Sequence, residues 1–399
     1  MNRSRFWRVL RWGALASLLV GGVAVANGCV AFGKQATGAR KARMTRSPQW
    51  QDGHFENPQP IVNHVWPTIT GMFNISDHAT PVEPPPAVTI DPRHFETPPA
   101  SGLRITWMGH ASTLIEIDGE RILTDPMWSE RAGPFSWIGP TRYYPPPIAL
   151  EALPHIDAVV ISHDHYDHLD MGTIVAMKDW DTKFFVPLGI GAHLEYWGVA
   201  KEKIVELDWW ESRSVGDVEI VCTPARHASG RVLIDNYATL WSSWSLIGSK
   251  HRVFFSGDTG LFPGMAHIGE RYGPFDVTLL ETGQYHAGWP DWHMGPEQAV
   301  IAHQMLKGKK MFPIHWGLLT LAFHGWTEPI ERVLAYAGPR QVPVIDPRPG
   351  QSVEPDNVSQ FVPWWPKLAF ETAEQAPVIS SGVPLPSEHQ APIPALLTP

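Results

Sequence analysis

Within six positions the chain places three imidazoles and two carboxylates, His163-Asp164-His165-Tyr166-Asp167-His168. Such a cluster resists leaving water unless something positive holds it, and imidazoles mixed with carboxylates are a donor set for divalent metals. The apolar run Ile156-Asp157-Ala158-Val159-Val160-Ile161 directly before it reads as a buried strand. A strand ending at Ile161 that gives way to a tight turn and a helix can project His163 and His165 to one side and Asp167 and His168 to the other. That division suits two metal ions better than one. The competing reading, a polar loop that binds metal adventitiously, is disfavoured by this density of donors behind a buried strand.

His-x-His-x-Asp-His after a strand resembles the signature of the metallo-β-lactamase superfamily. More narrowly, HDHYDHLD at 163–170, Gly109-His110-Ala111-Ser112 and Thr124-Asp125-Pro126 resemble the N-acylphosphatidylethanolamine-hydrolysing phospholipase D family and its bacterial relatives, over residues 103–350. The resemblance implies an α/β fold, an αββα sandwich with a dinuclear zinc site at one edge. It assigns His163, His165 and His227 to the first Zn2+, Asp167, His168 and His315 to the second, and Asp258 to both as a bridge that positions the nucleophile. It also places His293 near the phosphate of a phospholipid substrate, with a membrane surface as partner.

The residues support that assignment on their own terms. His227 in Thr223-Pro224-Ala225-Arg226-His227, Asp258 in Gly257-Asp258-Thr259-Gly260 and His315 in Phe312-Pro313-Ile314-His315 each follow a short apolar run. A carboxylate shared between two cations lowers their repulsion and leaves a position for water, which favours catalysis over a closed structural site. Taken singly, His227 or His315 reads as a hydrogen-bonded core histidine and Asp258 as a turn residue. His293 sits in Trp292-His293-Met294-Gly295-Pro296, just ahead of a helix start where an anion is favoured; a capping or surface role is its alternative. In one place the chain departs from the family: Ala322-Phe323-His324-Gly325-Trp326 lacks the acidic residue expected near His324, which leaves the headgroup open. The expectation is a dinuclear zinc phosphodiesterase of phospholipase D type. Two rivals stand beside it: a hydrolase of the same fold acting on a carboxylic ester, lactone or β-lactam, and a non-catalytic envelope protein that uses metal structurally and binds lipid.

The elements that must position these groups begin at Leu103. Alternating runs at 103–107, 113–117 and 120–124, the last two joined by Asp118-Gly119, predict strands and a hairpin. Further short strands are expected at 158–162, 183–187, 218–223, 252–256, 276–280 and 311–314, each ending at a polar or glycine-bearing turn where an α/β enzyme places its chemistry. Helices are expected at 296–307, with Pro just inside its start and Gly308 just past its end, and after Thr327 as cap, with Ile330, Val333, Leu334 and Ala337 on one face.

With 399 residues and ordinary apolar content, the chain can bury a sizeable core. Its 39 prolines concentrate before about residue 100 and after about residue 340, which predicts irregular flanks around a packed middle. Residues 34–100 read as a Pro-rich extended arm or linker, 101–350 as the hydrolase domain, and 351–399 as an irregular, partly disordered tail. Residues 1–33 carry Arg3, Arg5, Arg8 and Arg11 ahead of an uncharged run, which predicts a signal peptide or membrane anchor and a place in the cell envelope, the periplasmic side favoured. An internal core helix is the alternative, and Arg-rich flanks suit it poorly. Nine of the 31 Lys and Arg residues but none of the 40 acidic ones lie in the first 51 positions, so the rest carries 22 basic against 40 acidic residues. A body that acidic lacks the basic face that nucleic acid requires. With two cysteines, Cys29 and Cys222, no disulfide framework is expected. The 19 tryptophans suit either an acyl-chain groove and bilayer interface or core packing.

Overall fold

The computed structural model describes residues 29–358 and 362–380. In chain order its elements are α1 (Gly38–Met44), the small hairpin β1 (Trp50–Gln51) and β2 (His54–Phe55), α2 (Val65–Phe73), β3 (Leu103–Gly109), β4 (Ser112–Ile117), β5 (Glu120–Thr124), β6 (Ala158–Val160), α3 (Met171–Met177), β7 (Lys183–Pro187), α4 (Gly191–Tyr196) and β8 (Ile204–Leu207). There follow β9 (Ser212–Val215), β10 (Val218–Thr223), β11 (Ser243–Ile247), β12 (Arg252–Phe255), α5 (Gly264–Tyr272), β13 (Phe275–Glu281), α6 (Pro296–Met305), β14 (Gly308–Ile314), α7 (Glu328–Ala337) and β15 (Ser352–Val353). They form two large sheets, ordered β15-β3-β4-β5-β6-β7-β8 and β14-β13-β12-β11-β10-β9.

Successive side chains of a strand point to opposite faces, and here both faces are covered. Ile122 of β5, Ala158 and Val160 of β6, and Val253 and Phe255 of β12 meet in the core between the sheets. Leu123 and Val159 point the other way, onto Ile174, Met177 and Leu194 of α3 and α4. Phe254 does the same in the second sheet, against Met265, Val300 and Val333 of α5, α6 and α7. The result is the expected αββα sandwich, with apolar residues on both faces of its central strands.

Pairing direction decides where the chemistry collects. β5 runs parallel to β6 and antiparallel to β4, and β4 is antiparallel to β3, so the C-terminal ends of β3, β5 and β6 share one edge. In the second sheet β12, β13 and β14 are parallel, and β10 joins their direction through antiparallel β11. Every predicted ligand leaves the end of one of these strands.

The Asp118-Gly119 hairpin is present, with φ of 49° and 100° at its two central residues. The strand predictions hold to within a few residues, whereas β8, β9, β11 and β15 were not anticipated. β9 is a half-exposed edge with the polar sequence Ser-Arg-Ser-Val, and β11 opens on Ser-Trp-Ser, so neither shows an apolar run. Helix α6 stops at Met305 because Lys307 turns left-handed (φ 56°) ahead of β14. Thr327 makes no side-chain cap to α7, although the face bearing Ile330, Val333 and Ala337 is buried as predicted.

One expectation for the flanks needs correction. The Pro-rich stretch before residue 100 contains helix α2 rather than only extended chain; its large apolar residues face outward, so no core-facing pattern marks it. The end of the chain is irregular but packed where it is described: Trp364 stacks on Trp316, Trp365 meets Trp316 edge-on, and Ser380 is buried against Asp291. Residues 1–28, which carry most of the predicted leader or anchor, lie outside the described residues, and so do residues 381–399. Among the described residues no helix is long and apolar enough to cross a membrane.

Trp244 of β11 is fully buried between the sheets and donates its indole N–H to the carbonyl of Ile161 at 3.0 Å. Replacing a buried aromatic by alanine removes apolar contact and leaves a cavity, so Trp244→Ala should cost about 3–5 kcal/mol in urea unfolding. A loss below about 1 kcal/mol would show that this contact does not lock the sheets together.

Candidate metal centre

All seven predicted ligands converge. One group comprises His163, His165, His227 and Asp258; a second comprises Asp167, His168 and His315 together with His110. In the first, His165 Nδ1 lies 2.9 Å from His163 Nε2 and 3.3 Å from His227 Nε2, and Asp258 Oδ2 lies 3.8 Å from both Nε2 atoms. In the second, His168 Nε2 and His315 Nε2 are 3.1 Å apart, each 3.3 Å from Asp167 Oδ2. Asp258 spans the two groups: the Oδ2 that faces His163 and His227 is also 3.1 Å from His168 Nε2 of the second group, and Oδ1 is 3.1 Å from His315 Nε2.

Hydrogen bonds on the outer ring nitrogens fix which atoms face inward. His168 Nδ1 donates to Asp125 Oδ2 at 2.7 Å, and His227 Nδ1 donates to the Trp292 carbonyl at 2.9 Å. The Ser162 hydroxyl donates to Asp125 and so accepts from His163 Nδ1 at 2.9 Å. Each Nε2 then points into the centre, at distances where a proton could satisfy only one neighbour at a time. Those separations approach the edge of about 3.4 Å that donors share when bonded at about 2.1 Å around a tetrahedral zinc. The donor set therefore fits divalent metal.

Protonation is divided: burial opposes charge on His168, but Asp258 and Asp167 hold its pKa well above the ordinary imidazole range. Burial holds His163 and His227 well below the ordinary imidazole range, and the neighbouring His168 and His165 push His163 down further. For Asp167 and Asp258 burial acts in the opposite sense, toward protonation. It is outweighed in both by His168, helped by hydrogen bonds from His110 at Asp167 and by the charges of His315 and His293 at Asp258, so both carboxyls stay well below the usual range.

The loops that carry the ligands are tightly determined. Gly257, just before Asp258, has φ of 54°, and a Cβ there would lie 2.3 Å from that of Ser162, next to His163. His110, Asp125 and His315 also adopt positive φ, at 54°, 31° and 66°. Backbone strain of this kind persists where surrounding contacts over-determine it. Buried indoles supply such contacts. Trp107 donates to the His110 carbonyl, Trp241 to that of Ala225 and Trp244 to that of Ile161, each at 3.0 Å, so three ligand loops are held by tryptophan N–H groups.

His293 stands at the rim. Its Nδ1 is 2.8 Å from Glu281 Oε2, and its ring stacks on His315 with centroids 5.4 Å apart. Burial opposes its charge, but Glu281 and Asp258 push its pKa up to about 9. With Trp289, Trp292, Gln284, Ile69 and Leu321 it lines a mostly apolar cavity of about 460 Å³. His324, where the chain departs from the family pattern, is half-buried, accepts from the Gln284 N–H at 2.9 Å, and is pushed down to about 4 by desolvation.

Three residues beside the centre were given no role by the sequence. His110 is fully buried with Nε2 2.8 Å from Asp167 Oδ2. Glu281 ends β13 and accepts from Thr259 N at 2.5 Å as well as facing His293. Asp125 orients His168 and Ser162. Each follows a strand, the same signal that marked His227 and His315.

Asp125 fixes the tautomer and direction of His168 without facing the centre itself. Removing its charge in Asp125→Asn should weaken metal binding by about 10–100-fold, with the fold retained. Competition with a chromogenic chelator measures this, and unchanged affinity would remove Asp125 from the orienting role.

Comparisons with known proteins agree with this architecture. Residues 120–316 match a family model described as a beta-lactamase superfamily domain. An uncharacterized protein of Mycobacterium tuberculosis is 46% identical over 349 residues, covering 84% of this chain and 91% of that one. The N-acyl-phosphatidylethanolamine-hydrolyzing phospholipase D 1 of Caenorhabditis elegans is 36% identical over 291 residues, 66% of this chain and 80% of the relative. The fold alone is shared with an isothiocyanate hydrolase from Delia radicum gut bacteria, at 18% identity and a TM-score of 0.51, over 63% of this chain and 98% of that one. A strand-end cluster of imidazoles and carboxylates in an αββα sandwich and relatives of this closeness lead to one conclusion: the chain belongs to the metallo-β-lactamase superfamily, in its N-acylphosphatidylethanolamine-hydrolysing phospholipase D-like family, and is a metal-dependent hydrolase.

Proposed function

We propose that the centre holds two zinc ions and hydrolyses the phosphodiester of an N-acylphosphatidylethanolamine or a related phospholipid, in the phospholipase D sense. The observation that carries this is Asp258, whose Oδ2 lies 3.8 Å from His163 and His227 of one ligand group and 3.1 Å from His168 of the other, with Oδ1 3.1 Å from His315. His163, His165 and His227 would hold one ion, Asp167, His168 and His315 the other, with Asp258 shared. Held there, two such ions would supply a nucleophile from water near neutral pH and offset the charge that builds on the phosphoryl oxygens.

The remaining groups act on the substrate. Asp258 keeps its ionised form and orients the nucleophile toward phosphorus. His293, whose Nδ1 is committed to Glu281, keeps Nε2 for a phosphoryl oxygen. Water adds to phosphorus and the phosphorus–oxygen bond to the N-acylethanolamine breaks, leaving phosphatidic acid. The apolar cavity beside His293 suits acyl chains. A phospholipid substrate implies work at a membrane surface, and the Arg-flanked uncharged run at the start of the sequence supports a place in the cell envelope.

Turnover of an N-acylphosphatidylethanolamine, set against a lactone, a carboxylic ester and a β-lactam and read by mass spectrometry, tests the substrate class. The phospholipid should be cleaved at the headgroup side of phosphorus, and preferential cleavage of any of the other three would overturn the reading. Asp258→Asn should lower kcat at least about 100-fold, on the scale of removing a group that stabilises the transition state. Dialysis against a chelator should abolish turnover, and added Zn2+ should restore it.

A further inference from the structure

Between β2, which ends at Phe55, and α2, which starts at Val65, the chain has no regular element, yet it is fastened at four points to two loops of the centre. The Asn57 side chain donates from Nδ2 to the His227 carbonyl at 2.7 Å and accepts from the His227 N–H through Oδ1 at 3.2 Å. The Pro60 carbonyl accepts from the Arg226 guanidinium. Val62 N–H donates to Asp291 Oδ2 at 2.9 Å, and His64 N–H donates to the Gly288 carbonyl at 2.7 Å. One of these loops carries the ligand His227, and the other leads directly into Trp292 and His293.

A single amide that bonds both the N–H and the C=O of one residue does what a neighbouring strand does in a ladder, and so holds that residue's φ and ψ. His227 lies beyond the end of β10 at Thr223, outside the sheet's own ladder, so Asn57 supplies what the sheet does not. The His227 ring is tied separately, through Nδ1 to the Trp292 carbonyl at 2.9 Å. With backbone and ring both held, Nε2 is left with one direction, into the centre. The rest of the segment keeps Asn57 in place. Arg226 and Asp291 form an ion pair at 2.8 Å with both side chains buried, and the segment crosses it with Pro60 on one partner and Val62 on the other. Breaking such a pair leaves a buried charge, so its geometry is defended. Pro58 and Pro60 fix their own φ and restrict Asn57 and Gln59 before them, which lowers the entropy lost in ordering the segment.

We infer that Asn57 is a positioning residue for the metal ligand His227, and that the Pro-rich arm is thereby part of the active site. The same length of chain runs on into α2, whose Val65, Thr68 and Ile69 line the cavity beside His293, so one segment sets both a ligand and a cavity wall. The inference rests on the reading of His227 as a metal ligand and is independent of which substrate is cleaved.

Competition of the zinc-loaded full chain with a chromogenic chelator tests this, with hydrogen exchange at β10 and β13 reporting that each variant is folded. Asn57→Ala should weaken zinc binding about 10-fold, the scale on which groups that orient a ligand act. Glu56→Ala, which removes the adjacent side chain that reaches His54 at 3.4 Å, should leave the affinity unchanged. In the cobalt-loaded protein the visible d–d band of Asn57→Ala should move, because the imidazole it positions has turned; a residue that only tethers the arm would leave the band in place. Should Asn57→Ala fail to fold, Asn57→Asp, which keeps the acceptor for the His227 N–H but loses the donor to its carbonyl, takes its place with a loss of the same sign. If His227→Ala loses zinc and the Asn57 variant does not, the inference is overturned and the ligand assignment stands. Equal losses in the Asn57 and Glu56 variants also overturn it, by assigning the effect to the arm as a whole. If His227→Ala binds zinc as tightly as the wild type, the ligand assignment fails first and takes the inference with it.

Discussion

Five imidazole nitrogens and two carboxylates, most of them buried, aimed at one another form an arrangement that neutral protein cannot satisfy. His168 and His315 approach through Nε2 at 3.1 Å, and Asp258 and Asp167 stay ionised beside them although burial favours their neutral forms. A cation removes that conflict, since it takes the lone pairs as bonds and balances the carboxylates. Metal is accordingly part of what stabilises this edge of the sandwich as well as of what it does. The rest of the molecule reads as apparatus for holding these groups together.

That apparatus has two layers. Strand direction brings the ends of β3, β5, β6, β10, β12, β13 and β14 to one edge, so residues far apart in sequence start close together. Individual loops are then locked by buried polar contacts: Asp125 on His168 and Ser162, Glu281 on His293 and Thr259, and indole N–H groups on the carbonyls of Ile161, Ala225 and His110. Such contacts are strong in a low-dielectric interior and costly to leave unmade. They explain how strained backbone at His110, Asp125 and His315 persists.

How much of this was legible in the sequence follows from the same physics. The ligands could be read because each polar residue interrupts an apolar run, a local signal at His163, His227, Asp258 and His315. Glu281 and His110 carry the same signal, but they lack the density of the main cluster that gives single residues weight. The indole clamps were invisible, since their partners are backbone carbonyls distant in the chain and any tryptophan can be explained by packing. Trp107, Trp241 and Trp244 are indeed core residues, while Trp66 and Trp137 are exposed. Helix α2 escaped because the periodicity that reveals helices assumes apolar residues turned inward, and β9 and β15 escaped because edge strands need no apolar face.

Anomalous diffraction from crystals grown with zinc, recorded on both sides of the zinc absorption edge, tests the central claim most directly. The account predicts two anomalous peaks per chain about 3.5–4 Å apart with the Asp258 carboxylate between them, His163, His165 and His227 around one and Asp167, His168 and His315 around the other. A single peak fully enclosed by protein ligands, or Asp258 turned away from both ions, would contradict it.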